Sequence, residues 1–308
     1  MTCRRWNSTS TIQRTAFFTF LNLSYESICH AENGDVFESF ANHIGNGNPL
    51  IRQQLLELVA LAITGYEVKC FYVLLGESNT GKTQFGRFLE ELIGRENVES
   101  IAGVHDFSNR FTTAALAGKK LGTCLDLPDA PLPSIAIGTI KQFVGDDSVK
   151  IERKYKDSQT LYHKPLLLFA GNHPIRLPNA AHEQALLNRM IAIPFANPVQ
   201  PEHQRQQLYK NLLNEAPYIV SQAILAYRNL LSHNFNLTKV NLPPEFDSQD
   251  SRQSYRDVKS FLESFCIPRH DESCTTEELF QTFWNAAETE GYTQLSEIAF
   301  GRMLGDCF

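Results

Sequence analysis

One stretch, Phe71-Tyr-Val-Leu-Leu-Gly-Glu-Ser-Asn-Thr-Gly-Lys-Thr83, constrains this chain more than any other. A short apolar run leads directly into G-x-x-x-x-G-K-[ST], a pattern that predicts a buried strand, a phosphate-binding loop and a helix starting near Lys82. Gly76 and Gly81 permit backbone conformations that a Cβ obstructs. The N–H groups of Gly76, Glu77, Ser78, Asn79, Thr80, Gly81, Lys82 and Thr83 then form a cradle for phosphate oxygens, with the positive end of the helix dipole behind it. In such a loop Lys82 reaches the β- and γ-phosphates and Thr83 ligates a metal, so ATP and Mg²⁺ are the expected ligands. Phe85, Phe88, Leu89, Leu92 and Ile93 recur at helical spacing after the loop, and Gly94 stops the helix.

The chain has 308 residues, room for an ATPase-sized core and one or two small modules. With 43% hydrophobic and 20% charged residues it reads as globular. No run approaches the length of a membrane span, so no membrane partner is expected. The net charge of -6 gives no global nucleic-acid signature, and any basic surface must be local. The seven cysteines show neither C-x-x-C nor zinc-site spacing and read as reduced thiols of a cytoplasmic protein. Met1 to Tyr25 contains three arginines and no acidic residue, a composition compatible with a transit peptide but read here as the edge of a larger protein.

The organisation expected is a helical segment over 1–65, an α/β core with a helical lid over 66–236, a linker over 237–254 and a small helical module over 255–308. A helical region spans about Asp35 to Thr64 and ends at Gly65. Strands are expected at Phe71–Leu75, Val98–Ile101, Leu121–Leu125, Leu166–Ala170 and Met190–Ile193. Helices fall at Lys82–Ile93, Thr112–Ala117, Ile135–Phe143 and Glu183–Leu187. This alternation implies a mostly parallel sheet covered on both faces. Glu202 to Leu231 reads as helical, and the polar, Pro243-Pro244-containing stretch after it as a linker. Helices are then expected at Asp257–Phe265, after the Thr275-x-x-Glu278 capping box, and at Ser296–Leu304. Three such helices suit a helix-turn-helix or winged-helix unit, or a plain helical cap.

Hydrolysis needs more than a phosphate loop: a carboxylate near the metal, a polar group for the attacking water and a cation for the transition state. Asp126, ending Leu121–Leu125, is the candidate carboxylate on a neighbouring strand, with Asp129 as the alternative. Asn172 ends the strand Leu166–Ala170 and either orients water or serves as a turn residue. Arg189, before Met190–Ile193, is either an arginine finger, in cis or from a neighbouring subunit, or a surface cation. Val149-Lys-Ile-Glu-Arg-Lys-Tyr-Lys156 alternates as an exposed hairpin strand. Its Lys150, Arg153, Lys154 and Lys156, with Tyr155 as a stacking face, suit single-stranded nucleic acid, although lysines also protect edge strands.

Taken in order, these pieces resemble superfamily 3 helicases, in particular the helicase part of phage and plasmid primase–helicases, which are related to the poxvirus primase–helicase. The similarity rests on Gly76-Glu-Ser-Asn-Thr-Gly-Lys-Thr83, Phe143-Val-Gly-Asp-Asp-Ser-Val-Lys-Ile-Glu-Arg-Lys-Tyr155, Ala170-Gly-Asn-His173 and Asn188-Arg-Met-Ile-Ala-Ile-Pro-Phe195. It covers about Asp35 to Phe195. The resemblance implies an AAA+-like P-loop NTPase core in a ring, a hexamer, with ATP between subunits. Lys82, Thr83, Asp126 and Asn172 would act from one subunit and Arg189 from the next. Lys150, Arg153 and Lys154 would line the channel on a hairpin that tracks DNA 3′ to 5′. This chain departs from the family in carrying Asp126 where glutamate is frequent and Asn188-Arg189 where two arginines are frequent. The first seventy residues show no primase active-site pattern, and both ends read as truncated.

The expected function is ATP-dependent unwinding of DNA during replication of a phage, plasmid or related element. A nucleotide- and DNA-binding remnant without unwinding activity is the alternative. A small-molecule kinase would leave the basic hairpin and Arg189 unexplained.

Overall fold

The computed structural model describes residues 21, 23–130, 132–145, 148–151, 159–161, 163–175, 185–199, 207–242, 248–266, 273–295 and 297–305. In chain order these form α1 (Tyr25–Cys29), α2 (Asp35–Ile44), α3 (Pro49–Thr64), β1 (Phe71–Leu75), α4 (Lys82–Ile93), β2 (Val98–Ser100), α5 (Arg110–Ala115), β3 (Leu121–Leu127) and α6 (Ser134–Phe143). They continue with β4 (Val149–Ile151), β5 (Gln159–Leu161), β6 (Leu166–Gly171), β7 (Met190–Pro194), α7 (Leu208–Asn214), α8 (Ala216–Ser232), α9 (Ser248–Phe265), α10 (Thr276–Glu290) and α11 (Glu297–Gly305). Residues fall into two compact units that divide after Asn241.

The first unit is α/β. Its main sheet has five strands in the order β2-β3-β6-β1-β7, and every pair is parallel. β1 is buried at all five positions and paired on both sides, which is why it reads as an unbroken apolar run. All five expected strands are present within two residues at each end, as are the helices at α4, α5 and α6. Of the helix expected at Glu183–Leu187, residues 185–187 are helical and the two before them lie outside the described residues.

The helical region expected from Asp35 to Thr64 consists of two helices. Gly45-Asn-Gly-Asn48 separates α2 from α3, with Asn46 and Gly47 at positive φ and Asn48 capping α3 by accepting from the Leu50 N–H at 3.0 Å. Both helices bury a face in the same core. α2 presents Phe40 beneath the phosphate-loop helix, stacked on Phe85 with centroids 5.8 Å apart and edge-on to Phe195 at 6.0 Å. α3 is buried nearly all round and packs against α8.

α3 also buries a carboxylate. Glu57, 1% exposed, accepts from the Thr238 N–H at 2.9 Å, the Thr238 hydroxyl at 2.7 Å and the Gln53 amide at 3.0 Å. The start of the expected linker is therefore a strap on the first unit, with Leu237 and Val240 packed on its core. The expected linker's other end is helical too, since α9 already begins at Ser248. Its first turns are polar in sequence, yet Ser254 is buried one turn before Val258, so periodicity starting from apolar residues alone misses them. Burial pushes the thiols of Cys70 to about 12 and Cys124 to about 11, leaving both inert.

The second unit is a three-helix cluster around Val258, Phe261, Phe283 and Phe300. The capping box opens α10 as expected: the Thr275 hydroxyl accepts from the Glu278 N–H at 3.2 Å, and the Glu278 carboxylate accepts from the Thr275 N–H at 2.9 Å. No strand accompanies these helices among the described residues.

Phe40→Ala should cost about 3 kcal/mol, the scale of truncating a buried phenylalanine. Urea unfolding would measure it, and a loss below about 1 kcal/mol would show that α2 does not support the loop helix.

Candidate phosphate-binding site

The loop from Gly76 to Gly81 leaves the end of β1 between two neighbours. On one side the Gly76 N–H donates to Gly171 O, at the end of β6, at 3.3 Å. On the other side the Phe195 N–H donates to Leu75 O at 2.6 Å, and a Cβ on Gly76 would stand 2.2 Å from the Phe195 carbonyl oxygen. Glycine is therefore required at 76 by close backbone approach. At Gly81 the requirement is conformational: φ is 95°, in the left-handed region, and a Cβ would also meet the Phe40 ring at 3.0 Å. Asn79 is left-handed as well, at φ 64°, and its carbonyl accepts from the Val199 N–H at 3.0 Å.

Lys82, the first residue of α4, folds into this loop and is buried. Its ammonium donates to Gly76 O at 2.5 Å, Glu77 O at 2.6 Å and Thr80 Oγ1 at 3.2 Å. The Thr80 hydroxyl donates in turn to Glu77 O at 2.9 Å. Burial lowers the Lys82 pKa to about 8. Glu77, Ser78, Asn79 and Thr83 are exposed. The residues are of the right kind for a phosphate and a hard cation: a cradle no Cβ fits, a cation within it and the exposed Thr83 hydroxyl in the first turn of α4.

Asn172 comes to the loop, its amide donating to Ser78 Oγ at 3.3 Å. β6 is the immediate neighbour of β1, so its end lies beside the loop. Asp126 lies one strand further away. The expectation of a neighbouring strand is corrected here, because β6 intervenes between β1 and β3. Asp126 is exposed, in the irregular stretch where the β3–β6 register shifts between Cys124 and Leu127. Asp129 stands 3.6 Å from His173, the residue after Asn172. That contact was not legible in advance, although Asp129 was the alternative carboxylate and His173 follows Asn172.

Arg189 is at the other edge of the sheet. It directly precedes β7, and its carbonyl accepts from the Phe71 N–H at 2.9 Å, at the start of β1. A five-residue parallel strand, roughly 13 Å end to end, separates it from the loop of its own chain. β4 and β5 form an antiparallel hairpin with Lys150 opposite Thr160. The Lys150 side chain and residues Arg153, Lys154 and Lys156 lie outside what the structure describes.

Fold and site thus define an α/β protein with a five-stranded parallel sheet and a glycine loop closed around a buried lysine. Residues 74–189 match a protein family described as a family of unknown function, DUF5906. Among solved structures, the A form of the apo NrS-1 C terminal region is similar with a TM-score of 0.54 at 14% identity, over 82% of this chain and 62% of that one. An apo structure of the same region, residues 305–718, gives a TM-score of 0.50 at 15% identity, over 76% of this chain and 57% of that one. The likeness is one of fold, and this chain spans about three fifths of the NrS-1 region it matches.

A lowered lysine pKa has two opposite pH consequences. Between about 8 and the unfolded value near 10.4 the folded chain binds fewer protons at Lys82 than the unfolded chain, so this group's contribution to stability rises with pH there. Anion binding requires the ammonium, so affinity for a triphosphate should fall above pH 8, approaching about tenfold per unit. Calorimetric titration with a non-hydrolysable ATP analogue at several pH values would measure it. A flat profile through pH 9 would place the phosphates elsewhere.

Proposed function

We propose that this chain is an ATP-driven DNA helicase of the superfamily 3 type, acting as a homo-oligomeric ring, a hexamer, in replication of a phage, plasmid or related element. The observation that carries the reading is the loop 76–83, fixed between β6 and β7, with Lys82 inside it and Asn172 hydrogen-bonded to its Ser78. The fold likeness to the NrS-1 C terminal region supports the architecture.

In this reading the loop N–H groups and the Lys82 ammonium hold the phosphate chain of ATP. Lys82 exchanges its carbonyl partners for phosphate oxygens as the nucleotide enters. Thr83 and Asp126 are the residues that would hold Mg²⁺, which would supply positive charge to the phosphates. Asn172, released from Ser78, orients water or contacts the γ-phosphate. Arg189 meets the nucleotide of a neighbouring subunit, which accounts for its distance from the loop of its own chain. The β4–β5 hairpin, with Lys150, Arg153, Lys154 and Lys156, contacts single-stranded DNA. Among the described residues no helix is long and apolar enough to cross a membrane.

The direct test is ATP hydrolysis by the purified chain with and without single-stranded DNA. Stimulation by DNA is expected, and Lys82→Ala should lower the rate roughly 100-fold or more, the scale of losing a transition-state donor. Nucleotide binding without hydrolysis would instead support a remnant that no longer unwinds. Mixing Arg189→Ala with Asp126→Ala subunits should restore part of the activity each lacks alone, because some interfaces then carry both intact residues. No recovery at any mixing ratio would count against a shared site.

A further inference from the structure

The edge of the sheet opposite the phosphate loop carries a row of cations that no part of the proposed mechanism uses except Arg189. Lys120 directly precedes β3, Lys164 stands two residues before β6, Lys69 two residues before β1, and Arg189 directly before β7. These four strands are consecutive neighbours in the sheet, so the row crosses three strand spacings, roughly 14 Å. Register keeps the positions level: Leu121 pairs with Leu166, and Phe71 with Met190.

The row borders a cavity of about 100 Å³ that Tyr66, Lys69 and Lys164 help to line. Tyr66 is 42% exposed and stacks on Phe235 with ring centroids 3.8 Å apart. Lys69 is exposed. The Lys164 ammonium donates to Gly145 O at 2.5 Å, tying a residue four before β4 to one three after β5. The row therefore runs past the root of that hairpin. Among the described residues, Glu67 adds an opposing charge, 3.2 Å from His163.

Charge balance points to the same unit. From Leu242 onward the chain has 13 acidic residues against 5 Lys and Arg, a balance of -8. The total of -6 leaves +2 for the first unit, so a polyanion has its favourable surface there and not on the three-helix unit.

We infer that the sheet edge formed by Lys69, Lys120 and Lys164, with Tyr66 beside them, is a binding surface for the phosphate backbone of single-stranded DNA at the root of the β4–β5 hairpin. Cations at strand spacing along a rigid edge with a neighbouring aromatic ring are the combination that holds single strands without reading sequence. The inference rests on the proposed nucleic-acid function and deepens it by placing the contact on the sheet as well as the hairpin.

The test is fluorescence anisotropy of labelled oligothymidylate with the full chain over a salt series, comparing wild type, Lys69→Gln and Lys69→Gln/Lys164→Gln. Each lost phosphate contact should make the log–log salt slope shallower by about 0.7, hence about 1.4 for the double variant, with weaker affinity at low salt. Glu67→Gln should shift affinity the other way. The exposed Lys69→Gln variant keeps the test valid if the Lys164 change disturbs folding. Wild-type binding with an unchanged slope in Lys69→Gln overturns the surface and leaves the helicase reading standing. An unchanged DNA affinity with a raised KM for ATP assigns the row to a neighbour's nucleotide and also overturns it. Absence of any DNA binding by wild type defeats both the surface and the DNA partner, while ATP hydrolysis still judges the phosphate loop separately.

Discussion

The arrangement depends on one close approach. At the end of β1, the Phe195 carbonyl from β7 occupies the space a side chain on residue 76 would fill, while Gly171 from β6 accepts the Gly76 N–H. The loop is thereby clamped by backbone from both neighbouring strands before any ligand arrives. A loop held in this way needs little further ordering to receive a ligand. The clamp requires β1 to be a central strand, and its complete burial follows from that.

Parallel strands give the molecule a polarity that its chemistry follows. All loops at the carboxyl ends gather on one edge, and there Lys82 folds into the glycine loop while Asn172 bonds to its Ser78. Everything that precedes the strands gathers on the other edge, and there Lys69, Lys120, Lys164, Arg189 and the root of the hairpin lie. In the proposed ring, the two edges would give each subunit a nucleotide side and a side facing neighbours and DNA. Of the helices around the sheet, α3 packs on β7 as well as on α2 and α8, and Phe40 of α2 contacts both the loop helix and Phe195.

Much of this was legible in the residues. The strand at 71–75 and the helix at 82–93 were readable to the residue, because a fully buried parallel strand is a continuous apolar run and glycines mark where the helix begins and ends. The capping box at Thr275 was readable because its mechanism is local. What could not be read was set by distant contacts. The break at 45–48 is the exception, since Gly45-Asn-Gly-Asn48 before Pro49 is itself a local turn signal. Thr238 looked like linker because its partner, Glu57, is buried far away in sequence. The separation of Asp126 from β1 depends on strand order, which no local pattern carries. The basic row escaped notice because its members are scattered singly and become neighbours only when the sheet forms.

The central claim is that nucleotide and nucleic acid engage opposite edges of one sheet. Hydrogen exchange followed by mass spectrometry, with a non-hydrolysable ATP analogue and single-stranded DNA added separately, tests it most directly. The account predicts that the nucleotide slows exchange at residues 76–83, and that DNA slows it at 66–70 and 163–166. Nucleotide protection absent from 76–83, or DNA protection confined to that same loop, would contradict it.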